Sequence, residues 1–231
     1  YDPLPAVIDV DEAQGPDAPL IHEDLGEYEV LPSYHPRPGS NVYHCYKTER
    51  GDHQRILANG PHVVEGTYEF PHVAHVQLEP HGAVALWRSP RELTVWCSAQ
   101  SPHLVRHVLA EMFELPMTGV QVIVPYIGGG FGGKSDTTVE PLAALAARQV
   151  VGRPVRLVLS REEMFFGSVL GRGCRARIRS AHDAEGHILA QETKLAFRCG
   201  AYGEYGINVV EGAGHVALGP YRVPAYHVES R

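Results

Sequence analysis

The sequence predicts an α+β fold, with an α/β unit around a glycine loop and antiparallel hairpins flanking it. Two observations carry that expectation. An apolar run from Val120, a glycine loop and an alanine-rich helix precede a second apolar run at Val155–Leu159, and strand–helix–strand order marks an α/β layer. Further on, Arg175–His182 and His187–Phe197 alternate on either side of Asp183-Ala184-Glu185-Gly186, the pattern of a hairpin.

Taken in order, Ala6–Val10 reads as a short strand, followed by an acidic stretch and a turn at Gly15-Pro16-Asp17. Residues 31–60 carry several prolines and Gly39-Ser40, the punctuation of a linker or surface arm. Strands are expected at His62–Phe70, Gly82–Arg88 and Glu92–Cys97. Ser101 as N-cap and Pro102 in the first turn open a helix with Leu104, Val105, Val108, Leu109 and Met112 on one face, ending before Pro116. A second helix is expected over Val139–Val151, stopped by Gly152-Arg153-Pro154, and Tyr226–Arg231 alternates like a strand. The start at Tyr1-Asp2-Pro3 has no initiator Met and the other end has no terminator, so a piece of a larger protein or a trimmed subunit is expected.

With 231 residues, 44% hydrophobic and 20% charged, the composition is that of a soluble globular protein with a sizeable core. A net charge of −7 weighs against nucleic acid or an anionic membrane as partner. No apolar run approaches the roughly 20 residues of a membrane span. Cys45, Cys97, Cys174 and Cys199 are far apart with no C-x-x-C pair, which argues for reduced cytosolic thiols and against a zinc or iron–sulfur nest.

The chemistry concentrates at Gly128, Gly129, Gly130, Phe131, Gly132 and Gly133. Glycine at such density lets the main chain touch a ligand and turn several N–H groups toward one anion. Gly128-x-Gly130-x-x-Gly133 satisfies a dinucleotide fingerprint, and Gly128–Ser135, with Lys134, satisfies the P-loop pattern. Both require a helix to begin on the last glycine. Pro141 is comfortable only in a first turn, so the helix should begin near Val139 or Glu140, too late for either motif. His72, His75 and His81 have spacing that could suit zinc, yet Pro71 and Pro80 bracket them and no H-E-x-x-H helix is present; packing or partner histidines are expected.

A third reading joins several stretches. HVQLEPHGAVALW (75–87), TVWCSAQSPH (94–103), IGGGFGGK (127–134), RPVRLVLSREEMF (153–165) and GAYG (200–203) together resemble, in order and spacing, the molybdopterin-binding large subunit of the xanthine dehydrogenase/aldehyde oxidase family. The resemblance implies that residues 1–30 are the tail of a preceding small α/β domain, 31–60 a linker or arm, and 61–231 the first half of the molybdopterin-binding domain, incomplete at the C-terminus. It implies a molybdenum-pterin cofactor (molybdopterin or its cytosine dinucleotide form) gripped by the Gly128–Gly133 backbone, with no protein ligand to the metal. Gln100 would donate to an oxo ligand of the molybdenum, and Phe131 would wall its substrate side. Glu79, Ser135 and Glu211 are candidate substrate-pocket residues, with Ser135 standing where xanthine-specific members carry a glutamate. Ser135 and Gly212, beside Glu211, weigh against a purine and leave aldehydes, N-heterocycles or an acyl-CoA ring.

The family hydroxylates such substrates with water-derived oxygen and passes electrons to 2Fe-2S and FAD. These are expected on partner chains, an Fe-S subunit and a FAD subunit, beside the remainder of the molybdenum subunit in a cytoplasmic complex. The family's catalytic glutamate falls beyond Arg231, so the isolated chain is expected to be inactive. The alternatives are a P-loop nucleotide-binding protein and a non-catalytic assembly module.

Overall fold

The structure, a computed structural model, describes residues 5–29, 34–203 and 205–231. It divides into two compact units: Val73–Gly171 is inserted, in sequence, into a terminal unit made of the described residues up to His72 and of Arg172–Arg231. The start at Tyr1-Asp2-Pro3 and the expected boundary between residues 30 and 31 lie outside the described residues.

The terminal unit begins differently from the sequence reading. Ala6–Val10 is not a strand: the Asp9 carboxylate accepts the N–H groups of Asp11 (2.8 Å) and Glu12 (3.1 Å), and a single 3₁₀ turn, Glu12–Gln14, follows. A short acidic side chain offers the backbone this local alternative to a ladder. The arm expected over 31–60 also differs. Within it, Tyr46–Arg50 (β1) is a strand and His53–Asn59 (α1) a helix capped by the Asp52 side chain. Then follow β2 (His62–Phe70), and after the inserted unit β7 (Gly173–His182), β8 (Ile188–Arg198), α5 (Gly206–Val216) and β9 (Ala225–Ser230). The sheet order is β1-β9-β8-β7-β2; β8 and β9 run parallel and the other neighbours antiparallel. The β7–β8 hairpin turns where Asp183–Gly186 was expected to turn it.

Inside the inserted unit come β3 (Gly82–Ser89), β4 (Glu92–Cys97), α2 (Pro102–Met112), β5 (Val120–Ile123), α3 (Glu140–Arg148), β6 (Val155–Val158) and α4 (Arg161–Gly167). Val73 and Gly171 exchange two backbone hydrogen bonds (3.1 and 2.8 Å) that tie its ends together. The sheet order is β5-β4-β3-β6. Alternation along β3 buries Ala83, Ala85 and Trp87, and the alanine face of α3 (Ala143, Ala144, Ala147) closes on them because a methyl group lets helix and sheet approach. Trp87 anchors the layer: its indole N–H donates to the Ala144 carbonyl at 2.8 Å and its ring meets Phe113 edge to face.

The topology gathers the functional segments at one end of this sheet. β5 runs parallel to β4, while β3 runs antiparallel to both β4 and β6. The start of β3 therefore lies at the same end as the finishes of β4, β5 and β6. Residues 79–81, 98–100, 124–134 and 159–161 all emerge there, at the carboxyl ends of three parallel strands, where open α/β sheets place ligands.

Candidate functional site

The segment between β5 and α3 is irregular, and α3 begins at Glu140 with Pro141 in its first turn. Gly129 (φ +92) and Gly132 (φ +96) occupy backbone conformations that L side chains rarely adopt. Phe131 between them is itself left-handed (φ 55) and 74% exposed, its ring lying against Gly129. A bulky residue in that region is strained, and such strain persists where the surroundings over-determine it.

Those surroundings are specific. Gln100, two residues before α2, donates its own N–H to the Lys134 carbonyl (2.8 Å), while its Oε1 accepts the N–H groups of Gly132 (3.0 Å) and Lys134 (3.2 Å). With the oxygen engaged on the loop, Nε2 of this exposed residue is left as a donor without a partner among the described residues. A Cβ at Gly130 would stand 2.3 Å from that Oε1, so only glycine permits this approach. On the other flank, Glu79 accepts the Gly128 N–H (2.8 Å) and the Lys134 ammonium (2.7 Å) on the same Oε2, and its backbone N–H donates to the Gly128 carbonyl (3.0 Å). Burial pushes the Glu79 carboxyl upward, but Lys134, the Gly128 N–H and Ser98 together hold it below the ordinary carboxylate value.

One histidine braces the loop through a main-chain carbonyl, and a second packs against it. His81 is buried, its Nε2–H donating to the Gly133 carbonyl at 2.8 Å, which leaves Nδ1 without a partner among the described residues. Burial, more than the nearby Lys134 charge, lowers its pKa and keeps it neutral, against the Gly133 carbonyl bond. His75 lies against Gly133 and bonds the Val169 carbonyl (3.1 Å). Beneath them the Cys97 thiol is pushed up to about 12, by burial first and then by Glu140, so it is inert as a thiolate.

Of the expected site residues, the structure brings Gln100, Phe131, Glu79 and all five loop glycines together. Ser135 adjoins them, nearly buried, its N–H donating to the Gly132 carbonyl. Glu211 belongs to the terminal unit, on α5 beside the buried His44. The loop N–H groups of Gly129, Gly130 and Phe131 make no hydrogen bond among the described residues. Those of Gly129 and Phe131, on half-buried and exposed residues, remain available to an incoming acceptor. The P-loop alternative is corrected by the same geometry: Lys134 is 1% exposed and committed to Glu79, and no helix starts on Gly133. His75 and His81 pack against the loop, as expected of packing histidines, while sequence reasoning missed Lys134 as a support. Nothing local could have shown the 55-residue separation of Lys134 from Glu79.

Comparison with known proteins agrees with this arrangement. A family model described as the molybdopterin cofactor-binding domain matches residues 34–231. The chain is 30% identical over its whole length to the nicotinate dehydrogenase large molybdopterin subunit of Eubacterium barkeri, covering 51% of that protein. It is 32% identical to the carbon monoxide dehydrogenase large chain of Hydrogenophaga pseudoflava, with 98% of this chain and 29% of that one covered. The crystal structure of the aldehyde oxidoreductase from Desulfovibrio desulfuricans superposes on all of this chain and 24% of its own, with a TM-score of 0.84 and 26% identity. The fold is thus that of a molybdopterin cofactor-binding domain, of the kind found in molybdenum hydroxylases. The chain belongs to the molybdopterin cofactor-binding domain family, and it spans about half or less of the relatives' lengths.

Proposed function

We propose that the chain is the part of a molybdenum hydroxylase large subunit that grips the molybdenum-pterin cofactor and presents it to an aldehyde or N-heterocyclic substrate. The observation that carries this reading is the Gln100 amide, whose oxygen is held by two loop N–H groups, leaving its nitrogen as a free donor beside the glycine loop. The residues fit such a cofactor. A glycine loop whose Gly129 and Phe131 N–H groups have no acceptor among the described residues suits a polyanionic, acceptor-rich ligand.

When bound, the cofactor supplies the hydroxylation of a carbon next to nitrogen or oxygen with oxygen taken from water, and takes up the electron pair. The chain's own part is positioning and electrostatics. The loop N–H groups would hold cofactor oxygens, Gln100 Nε2 would donate a hydrogen bond to the cofactor, and the Phe131 ring would keep water from the substrate side. Glu79 is occupied by Lys134 and Gly128, which supports a positioning role in place of substrate contact; Ser135 remains a candidate at the cradle's edge.

The remainder of the large subunit, an Fe-S subunit carrying 2Fe-2S and a FAD subunit complete the proposed assembly. The relatives' names, large subunit and large chain, support a multi-subunit enzyme. The cytosine dinucleotide form of the pterin remains the alternative to molybdopterin itself. The thiols of Cys45, Cys97 and Cys174 support a reducing, cytoplasmic setting. Among the described residues no helix is long and apolar enough to cross a membrane.

The test is Gln100→Ala in the complete enzyme, assayed on a panel of aldehydes and N-heterocycles. Turnover should fall about 100-fold or more, the scale of losing one preorganised donor, while molybdenum content stays above half of wild type. Unchanged turnover would remove Gln100 from the site.

A further inference from the structure

The hydrogen bonds around the glycine loop close into a ring. Glu79 meets the first loop residue, Gly128, through backbone (3.0 Å) and side chain (2.8 Å). Gln100 meets the last, Lys134, through its backbone N–H (2.8 Å) and its Oε1 (3.2 Å). One contact joins the two flanks: the Lys134 ammonium reaches back across its own loop to the very Glu79 oxygen that holds Gly128, at 2.7 Å. The ammonium is 1% exposed and the carboxylate 40%. A charge taken that far from water is tolerated only with its partner in place, so the pair couples both ends of the loop to one electrostatic contact.

We propose that Lys134 and Glu79 form a positioning pair that closes the glycine loop end to end and thereby holds the Gln100 amide with its nitrogen toward the cofactor. Neither side chain touches the cofactor in this account. Lys134 holds its own main-chain N–H and carbonyl in place for Gln100, and Glu79 fixes where the loop begins. The proposal rests on the cradle reading for its purpose, but its geometry stands without any cofactor. It also gives the loop lysine a task unlike that of a P-loop lysine, which must reach phosphate.

The experiment is hydrogen–deuterium exchange, followed by mass spectrometry, on the chain purified with its native neighbours, alongside molybdenum and oxidised-pterin content per chain. Lys134→Met and Glu79→Gln should each accelerate exchange in the 127–135 segment by about tenfold or more, since the local opening loses a charge-assisted bond. β3 and β4 should keep wild-type protection, and cofactor content should fall severalfold. The double variant should exchange no faster than the worse single variant, because both remove one contact. If Lys134→Met loosens the whole unit, Glu79→Gln, at a partly exposed carboxylate, decides the matter. Unchanged loop exchange in Glu79→Gln, or additive effects in the double variant, would overturn the pair. A wild-type assembly without molybdenum would sink the cofactor reading instead, while the exchange comparison, which needs no cofactor, would still judge the ring.

Discussion

In the inserted unit, apolar side chains from Ala83 to Ala147 close into one buried cluster around Trp87. In the terminal unit the cluster built on α1 holds Leu57, Ala181, Ala190 and Ala225, and the sheet is laced by charges. Arg175 pairs with Asp9, Asp11 and Glu69, and Glu229 gathers Lys47, Arg37 and Arg231. The inserted unit, by contrast, spends its deepest ion pair on the functional loop, Lys134 with Glu79. The difference teaches where precision is needed. A cradle made of backbone has few side chains to hold its shape, so a close-packed layer and a buried network beneath it must do so. Ion pairs at a sheet surface tolerate small shifts and are screened by water and salt.

That contrast can be broken from its strongest point downward. Trp87→Ala removes a ring 1% exposed, its contact with Phe113 and its bond to Ala144; a loss of about 3–5 kcal/mol is expected by denaturant unfolding. Leu57→Ala, in the small cluster of the other unit, should cost less, about 2–3 kcal/mol. An equal or larger cost there would erase the distinction between the units.

Gly130→Ala comes next. Its new methyl group would stand 2.3 Å from Gln100 Oε1, so Gln100 must swing away from the loop. Molybdenum content should drop at least fivefold, given that a misplaced donor group loses most of its worth, while thermal unfolding moves little. Retained cofactor with normal activity would contradict the cradle.

Acid should then separate loop from core. The folded Glu79 carboxyl titrates below its ordinary value of 4.5, so its stabilising contribution is complete above that value and is lost as pH falls through the lower folded one. Protection of the 127–135 segment, relative to intrinsic amide exchange at each pH, should therefore stay high at pH 5 and fall below 4.5, ahead of β3 and β4. Simultaneous loosening of loop and core would show that the pair has no separate role. Smallest of all, Arg177→Ala removes a half-exposed partner of Asp11. It should shift stability by about 0–1 kcal/mol, and less at high salt.

Much of this architecture was legible beforehand where local chemistry decides. β2 and β4 fall on the expected residues because alternation and bounding prolines and glycines mark them. Pro141 placed the start of α3 and so disposed of two motif matches. Gln100 beside the loop followed from a family resemblance, and the hydrogen bonds show how it is held there. What escaped was decided over distance. α5 contains Gly206, Gly212 and Gly214, poor helix formers, but Gly206 and Gly214 let it settle on Tyr43 and Tyr46. The strand β1 exists because β9, far along the chain, pairs with it. The Lys134–Glu79 contact joins segments that no periodicity connects.

The central claim is that this glycine loop holds a molybdenum-pterin. Its most direct test is molybdenum analysis with oxidised-pterin fluorescence on the chain purified with its native neighbours, wild type beside Gly130→Ala. Near-stoichiometric molybdenum with a pterin signal is expected in the wild type, and severalfold less of both in the variant. Nucleotide in place of molybdenum, or neither ligand in an intact assembly, would contradict that claim.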